Sequence, residues 1–288
     1  MMNIEKIRNG KFQGIVVVAL LLVVGVVGWG AAHLFNFEST DDAFVDGHVV
    51  AISPKVSGHI VQVSVVDNQS VKVGDPLFAI DDRDYAVRVD LAKAEVKAAK
   101  AELEQARQDV ARYQALQATG DISQQQYDKA VLRSHTAEAQ LDGAEARRKQ
   151  AELNLSYTQV VATEAGQVTR KIVEPGAFVQ AGQVLLAIVP PQRWVTANLK
   201  ETQLTHIQPG QKVAIEVDAY PGKIIRGHVD SIQQGTGARF SLLPAENATG
   251  NYIKVVQRIP VKIVFDEPLD PAEPLALGMS VVPKISLK

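Results

Sequence analysis

The longest apolar stretch of the chain is also its least charged. No charged residue lies between Lys11 and Glu38, and within that window Ile15 to Phe35 runs IVVVALLLVVGVVGWGAAHLF. That is about the 20 residues a helix needs to cross a bilayer core. Lys6, Arg8 and Lys11 precede it, and Glu38, Asp41 and Asp42 follow it. The positive-inside rule therefore places residues 1–14 in the cytoplasm and everything after Phe35 outside it. Trp29, His33, Phe35 and Phe37 fall at the outer interface, where amphipathic rings are favoured. A cleaved signal peptide has a shorter apolar core, of about 7–15 residues. The pattern thus predicts an uncleaved anchor over residues 15–35, although Gly30, Ala31 and Ala32 imitate a cleavage site. The rest of the chain has no second apolar run of spanning length, which is too little membrane for a transporter by itself.

Between residues 85 and 118 the period changes to heptads. Val89, Val96, Leu103 and Val110 recur every seven residues, and Ala92, Ala99, Ala106 and Tyr113 follow each by three. These are a and d positions of a coiled coil. Lys93, Lys100 and Arg107 occupy e, whereas Glu95, Glu102 and Asp109 occupy g. Opposite signs on the two flanks suit pairing with a second helix. The returning segment repeats the rule with Ala130, Ala137, Ala144 and Ala151, and with Tyr127, Ser134, Leu141, Arg148 and Leu155. Small alanines let two helices approach closely. Arg148 interrupts the apolar seam and must snorkel or find a partner. Between the helices, Gly120 is a candidate terminator of the first, and Ser123 with Gln126 forms a capping box for the second. A helix of about 34 residues is roughly 50 Å long, so the tip of such a hairpin lies far from its base.

The segments flanking the hairpin resemble each other. Residues 57–81, SGHIVQVSVVDNQSVKVGDPLFAID, align without a gap to 165–189, AGQVTRKIVEPGAFVQAGQVLLAIV, at a constant offset of 108. Gly58/Gly166, Val71/Val179, Gly74/Gly182, Leu77/Leu185, Ala79/Ala187 and Ile80/Ile188 are identical pairs. Each copy has short β-branched runs, a turn at Asp67-Asn68 or Pro175-Gly176, and a second at Gly74 or Gly182. The pattern resembles the two halves of a biotinyl/lipoyl domain, a flattened β-sandwich. In that family a carrier lysine sits on the tight turn joining the halves. Here the helical segment replaces that turn, so the resemblance implies the fold and argues against a swinging-arm cofactor.

From Trp194 onward, short β runs alternate with turns: Trp194–Leu199, Lys212–Val217, Ile224–Ile232, Tyr252–Gln257, Val261–Phe265 and Val281–Ile285. Glu201 to Leu204 fits a single helical turn. Closely spaced strands predict an antiparallel barrel or sandwich, and Asp46–Ile52 is an early strand that joins it. The fold class expected is mixed and mainly β: one transmembrane helix, a split lipoyl-like sandwich, a long coiled-coil hairpin and a β-barrel. The domains are a tail (1–14), the anchor (15–35), a linker and barrel strand (36–52), sandwich half 1 (53–81), the hairpin (82–157), half 2 (158–190) and the barrel (191–288).

Composition narrows the chemistry. The chain has 288 residues, a net charge of -2 and no cysteine. Zero Cys excludes a disulfide scaffold, a thiolate zinc site, an iron–sulfur cluster and a Cys nucleophile. Near-neutral charge argues against nucleic acid as a partner. His33, His48, His59, His135, His206 and His228 show no metal-ligand spacing. Asp41-Asp42 and Asp81-Asp82-Arg83-Asp84 are carboxylate clusters, of which Asp81 or Asp82 is best placed to cap the first long helix. No P-loop, dinucleotide fingerprint or nucleophile elbow is present, and Gly235-Thr236-Gly237 alone is too weak to indicate phosphate binding. Neither an enzyme, a cofactor nor a metal is expected. Asn247-Ala248-Thr249 fits a glycosylation sequon by coincidence of composition.

The whole order of segments resembles the membrane fusion (periplasmic adaptor) proteins of Gram-negative bacteria, over residues 12–288. Thr40-Asp41-Asp42-Ala43-Phe44-Val45, Lys200-Glu201-Thr202-Gln203, Gly235-Thr236-Gly237 through Phe240-Ser241-Leu242-Leu243-Pro244, and Asn247 to Arg258 are similar to EmrA-type multidrug adaptors. The resemblance implies a non-enzymatic adaptor in the inner membrane, single-pass, with its body in the periplasm. It implies as partners a major-facilitator exporter, an outer-membrane channel of the TolC type and further copies of the chain, as trimer or hexamer. The family also carries a tip signature for docking the channel: Arg, Leu four residues on, Ser seven further. Arg112, Leu116 and Ser123 have that spacing and straddle the predicted turn. Two features depart from the family: a shorter hairpin, and Ala162-Thr163 where Ala-Pro is frequent. Other readings of the same layout are an adaptor for an aromatic-acid exporter or an ABC-type secretion system, and a structural coiled-coil tether. A carboxylase or dehydrogenase carrier subunit is contradicted by the missing lysine and the anchor.

Overall fold

The computed structural model describes residues 37–240, 255–270 and 272–287, without the side chains of Ala238 and Phe240. The predicted anchor over residues 15–35 lies outside them. Among the described residues no helix is long and apolar enough to cross a membrane. In chain order the first strands are β1 (Phe37–Ser39), β2 (Ala43–Gly47), β3 (Val50–Ile52), β4 (Gly58–Val63), β5 (Ser70–Val71) and β6 (Pro76–Ile80). Helices α1 (Arg83–Thr119) and α2 (Gln124–Ser156) follow, then β7 (Gln159–Val161), β8 (Gly166–Thr169), β9 (Phe178–Val179) and β10 (Leu186–Val189). The last elements are β11 (Arg193–Lys200), a 3-10 turn (Leu204–His206), β12 (Lys212–Val217), β13 (Ile224–Ile232), α3 (Gly237–Phe240), β14 (Arg258–Phe265) and β15 (Val281–Ser286). The chain forms two compact units, divided between His48 and Val49 and between Pro191 and Gln192.

In the unit spanning Val49–Pro191, the β-structure is a pair of four-stranded sheets, β3-β10-β8-β5 and β7-β6-β4-β9. The 108-residue repeat is visible in the hydrogen bonds. Asn68 N–H donates to Val168 O, and its counterpart Gly176 donates to Ile60 O, at 3.0 and 2.7 Å. Gly74 N–H donates to Ala162 O and Gly182 N–H to Pro54 O, at 2.8 and 2.9 Å. Each half lends a short strand to the other's sheet: β5 pairs with β8, and β9 with β4. The shared core holds Ile60, Leu77, Phe78, Ile80, Val168, Leu185, Leu186 and Ile188, all nearly inaccessible. The repeated glycines sit where strands approach closely. A Cβ on Gly166 would lie 2.5 Å from the backbone oxygen of Val189, and one on Gly58 would lie 2.6 Å from the Ile80 side chain.

Helices α1 and α2 leave this module as an antiparallel hairpin. The seam is built as the heptads require: Val89, Ala92, Leu103 and Ala106 are buried against Ala130, Ala137 and Ala144. Salt bridges flank it, Arg147 to Glu95 and Arg107 to Glu138, each at 2.9 Å. Arg148 solves its interruption of the seam by emerging. Its Nε is covered, makes no hydrogen bond among the described residues and lies 3.7 Å from Glu152 Oε1, an ion pair without a hydrogen bond. At the base, Asp82 is the cap residue of α1 but makes no side-chain bond to it. Asp81 supplies the carboxylate instead, accepting from the Arg83 backbone N–H at 3.2 Å and from its guanidinium. The hydrogen bonds from Arg83 hold the Asp81 carboxyl at about 2, below its ordinary 3.8. Whatever this pair adds to stability is complete above the ordinary value and is lost as pH falls towards 2.

In the other unit, seven strands form one antiparallel sheet, β1-β15-β12-β13-β14-β11-β2. Beyond β2 the sheet turns back on itself. Val45 N–H donates to Met279 O and Gly278 N–H to Val45 O, and Phe44 bridges Ser280. Alternation decides which face is the core: Val195, Ala197 and Leu199 point inward from β11, as do Val213, Ile215 and Val217 from β12.

Two expected strands differ. Asp46–Ile52 is not one strand but two: residues to Gly47 pair with β11, whereas Val50–Ile52 pair with β10 in the sandwich. Residues 49–52 are a continuous apolar run directly after Gly47-His48, with no proline or tight-turn pair between the two strands, so sequence alone does not show where the hydrogen-bonding partner changes. Of Tyr252–Gln257, the described residues 255–257 are outside any strand. Val255 and Val256 are exposed, and the ladder with β11 begins at Arg258.

Candidate partner-docking site

The hairpin tip is fixed by two caps. Gly120 adopts a left-handed conformation, φ 84°, that a side chain would oppose. Its N–H donates to Gln117 O and that of Asp121 to Leu116 O, both at 3.0 Å, which is a Schellman stop. Thr119 Oγ1 donates to the same Leu116 carbonyl at 2.9 Å. On the return, Ser123 Oγ accepts from Gln126 N–H at 3.4 Å while Ser123 N–H donates to Gln126 Oε1 at 3.0 Å. The predicted capping box is therefore formed. Gln117 and Gln124 bond across the turn through their side-chain amides, a contact that sequence reasoning missed. Its trace is the amide-rich run Gln124-Gln125-Gln126 facing Gln117.

Arg112 and Leu116 stand four residues apart on the last turns of α1, hence on one face. The Arg112 side chain is 68% exposed, and its one ion pair among the described residues is with Asp109 at 3.5 Å. Leu116 is exposed as well, as is its neighbour Tyr113. Ser123 differs: its hydroxyl is engaged in the cap. The signature thus separates into two outward side chains and one residue that shapes the turn. Replacing Ser123 by Ala is expected to cost about 1 kcal/mol locally. Hydrogen exchange should then quicken in the first turn of α2 and remain unchanged at the hairpin base.

A second cluster gathers three motifs that lie far apart in sequence. Thr40 Oγ1 donates to Asn198 O, and Asn198 Nδ2 donates to Asp42 Oδ1, each at 3.1 Å. Arg258 pairs with the same Asp42 carboxylate. Gln203 Nε2 donates to Glu38 Oε2 at 2.7 Å and to Ser39 O at 3.1 Å. The residues that follow the predicted anchor are thereby bound to β11 and to the start of β14. Three histidines lie in ordinary contacts: His48 edge-on to Trp194, His59 edge-on to Phe178, and His228 Nδ1 2.5 Å from Asp266. Among the described residues no group of three or more His, Asp or Glu could hold a metal ion.

Residues 88–158 match the alpha-helical hairpin domain of RND MFP proteins, and residues 193–284 match the AAEA-like beta-barrel domain. The colistin resistance protein EmrA of Acinetobacter baumannii is 33% identical over 99% of this chain and 95% of its own length. The chain belongs to the EmrA-type membrane fusion proteins. The fatty acid resistance protein FarA of Neisseria gonorrhoeae is 35% identical over 85% of this chain and 75% of its own. In fold, this EmrA-type chain is similar to the membrane fusion protein Spr0693 from Streptococcus pneumoniae R6. The TM-score is 0.66 at 19% identity, covering 88% of this chain and 99% of that one.

Proposed function

We propose that this chain is the periplasmic adaptor of a tripartite efflux pump, joining an inner-membrane multidrug exporter of the major-facilitator type to an outer-membrane channel of the TolC type. The observation that carries the reading is the hairpin of an EmrA-type protein with its tip left free. Helix α1 has 37 residues, about 55 Å at 1.5 Å per residue, and ends in a doubly capped turn beside the exposed Arg112 and Leu116. In this reading residues 15–35 anchor the chain with residues 1–14 in the cytoplasm, and the domains divide as their sequence patterns do except that residues 49–52 go with the sandwich. Arg112 gives a forked donor for carbonyls or carboxylates of the channel. Leu116 gives an apolar contact, and Ser123 holds the turn that sets their spacing. The adaptor supplies no energy; the exporter does.

The test is crosslinking in gently solubilised membranes, followed by mass spectrometry of whatever a tagged chain retains. A multi-span facilitator, together with an outer-membrane channel crosslinked near residues 112–123, is expected. An ABC transporter in place of the facilitator would keep the adaptor and overturn the exporter class. Recovery of neither, from cells that make both, would leave a membrane tether.

A further inference from the structure

The 108-residue repeat continues upstream of the two aligned segments. Residues 51–55 lie 108 positions before 159–163, which makes β3 and β7 equivalent strands of the two halves. The sheets β3-β10-β8-β5 and β7-β6-β4-β9 correspond strand for strand under this repeat, and β3 and β7 are the terminal strands on one side of each. Among the described residues neither has a strand on its outer edge, so each presents backbone N–H and C=O groups that no ladder takes up. Between the two edges runs a groove of about 270 Å³, lined by both strands and by Tyr157, the residue that ends α2. All of it belongs to one compact unit.

The repeat makes the walls of this groove alike and its polar groups unlike. Ile52 and Val160 are an equivalent pair, and with Ala51, Val161 and the Tyr157 ring they form an apolar surface. Lys55 and Thr163 are another pair, so one half contributes an ammonium where the other contributes a hydroxyl. Lys55 Nζ stands 4.6 Å from the centre of the Tyr157 ring, a cation–π contact that holds the charge against the apolar surface. No carboxylate is among the described residues that line the groove. Ser53, Lys55, Tyr157, Gln159 and Thr163 all bring side-chain donors to it. None of those side chains makes a hydrogen bond or an ion pair among the described residues.

An apolar surface with one cation, several unengaged donors and no anion is complementary to a small molecule that is apolar at one end and negatively charged at the other. The volume is slightly below the about 300–1,000 Å³ of sites for drug-sized ligands, which limits the apolar body to one ring or a short alkyl chain. We propose that the groove between β3 and β7 binds a small amphipathic anion, its body on Ile52, Val160 and Val161 and its carboxylate on Lys55. The inference does not use the adaptor reading: the groove is complete within a single copy of the chain, and no partner contributes to it.

The chain has no cysteine, so an introduced thiol is its only one and reports on its own surroundings. Val161 is 43% exposed in the groove, and Val73 is 67% exposed outside it. In full-length protein held in a neutral detergent, benzoate and octanoate are each expected to slow alkylation of Val161→Cys by N-ethylmaleimide severalfold, and alkylation of Val73→Cys not at all. The contact is small, so protection should develop at millimolar concentration. Ala51→Cys, on the opposite strand, should be protected in the same way. Benzoate and octanoate carry one head on a ring and on a chain, and the one that protects at the lower concentration tells a small aromatic acid from an acid released from membrane lipid. Benzyl alcohol keeps the ring without the charge and should protect little; protection equal to that by benzoate would overturn the anionic assignment. Lys55 is exposed, so Lys55→Gln should leave thermal unfolding unchanged and abolish protection, whereas Lys55→Arg should retain it. Undiminished protection with Lys55→Gln, or none by either anion at Val161→Cys and Ala51→Cys, would overturn the proposal.

Discussion

Reversing the charge at Arg112, Arg112→Glu, is expected to lower recovery of the outer-membrane channel with this chain at least tenfold while leaving the amount of folded protein unchanged. Both halves of the expectation follow from the surroundings of the side chain. Among the described residues the ion pair of Arg112 is with Asp109, at 3.5 Å, and most of its side chain is exposed. An exposed pair of this kind contributes about 0–1 kcal/mol, so its loss hardly changes helix stability. At a docked tip the same guanidinium is desolvated, and hydrogen bonds to charged groups are worth about 1.5–3 kcal/mol. Since about 1.4 kcal/mol is a factor of ten in affinity, losing that interaction and gaining a repulsion lowers binding by one or two orders of magnitude. Channel co-purified with a tagged chain reads the effect, with thermal unfolding of the same preparation as control. Unchanged recovery at normal stability would remove Arg112 from the docking surface. Lys at this position should recover part of the binding, because it keeps the charge and loses the fork.

Replacing Gly166 by Val is expected to be the most damaging single change in the sandwich. The added Cβ would meet backbone atoms of Val189, the oxygen at 2.5 Å and the carbon at 2.7 Å, and the Ile188 side chain at 2.8 Å. Although Val189 ends its strand, its backbone has little room to move, because it is paired with Gln167 of β8, the residue next to Gly166. Overpacking costs about 1–3 kcal/mol where side chains can adjust and more where they cannot, so about 3 kcal/mol is expected. For a unit of this size that lowers the melting temperature by about 10 °C. The repeat supplies its own control. At Gly58 the added atom meets only Ile80 Cγ2, at 2.6 Å; that side chain is buried but can change rotamer. Gly58→Val should cost distinctly less, read by thermal unfolding of the two variants side by side. Equal losses would mean that the halves tolerate the position alike and that the backbone contact at Val189 is not the cause.

The elements legible in the sequence are those whose signals are local. Heptads fixed the seam residues because a helix repeats every 3.6 residues whatever surrounds it. Gly120 and Ser123 marked the turn because caps are made by residues next to the ends they satisfy. Lys212–Val217 and Ile224–Ile232 were predicted with the bounds they have in the structure, since polar turns enclose alternating β-branched runs. The 108-residue repeat was visible as matched glycines and apolar positions. It could not show that the halves exchange β5 and β9, because strand exchange leaves the alternation of each strand unchanged.

The sequence by itself determined the periodicities: an apolar run of spanning length, a hairpin with a capped tip, two similar β halves and a set of barrel strands. Each follows from residues within a few positions of one another. The tertiary structure alone decided partnership. It split Asp46–Ile52 between two sheets, because a strand's pattern records which face is buried and not which neighbour it bonds. It brought Thr40, Asp42, Asn198 and Arg258 into one network and Gln203 onto Glu38 and Ser39 beside it, since a polar side chain gives no hint of a partner some 160 or 200 residues away. At the tip it left Arg112 and Leu116 outward, while Ser123 took the cap that its sequence already indicated. A three-residue spacing carries no information about which side chains the fold itself consumes.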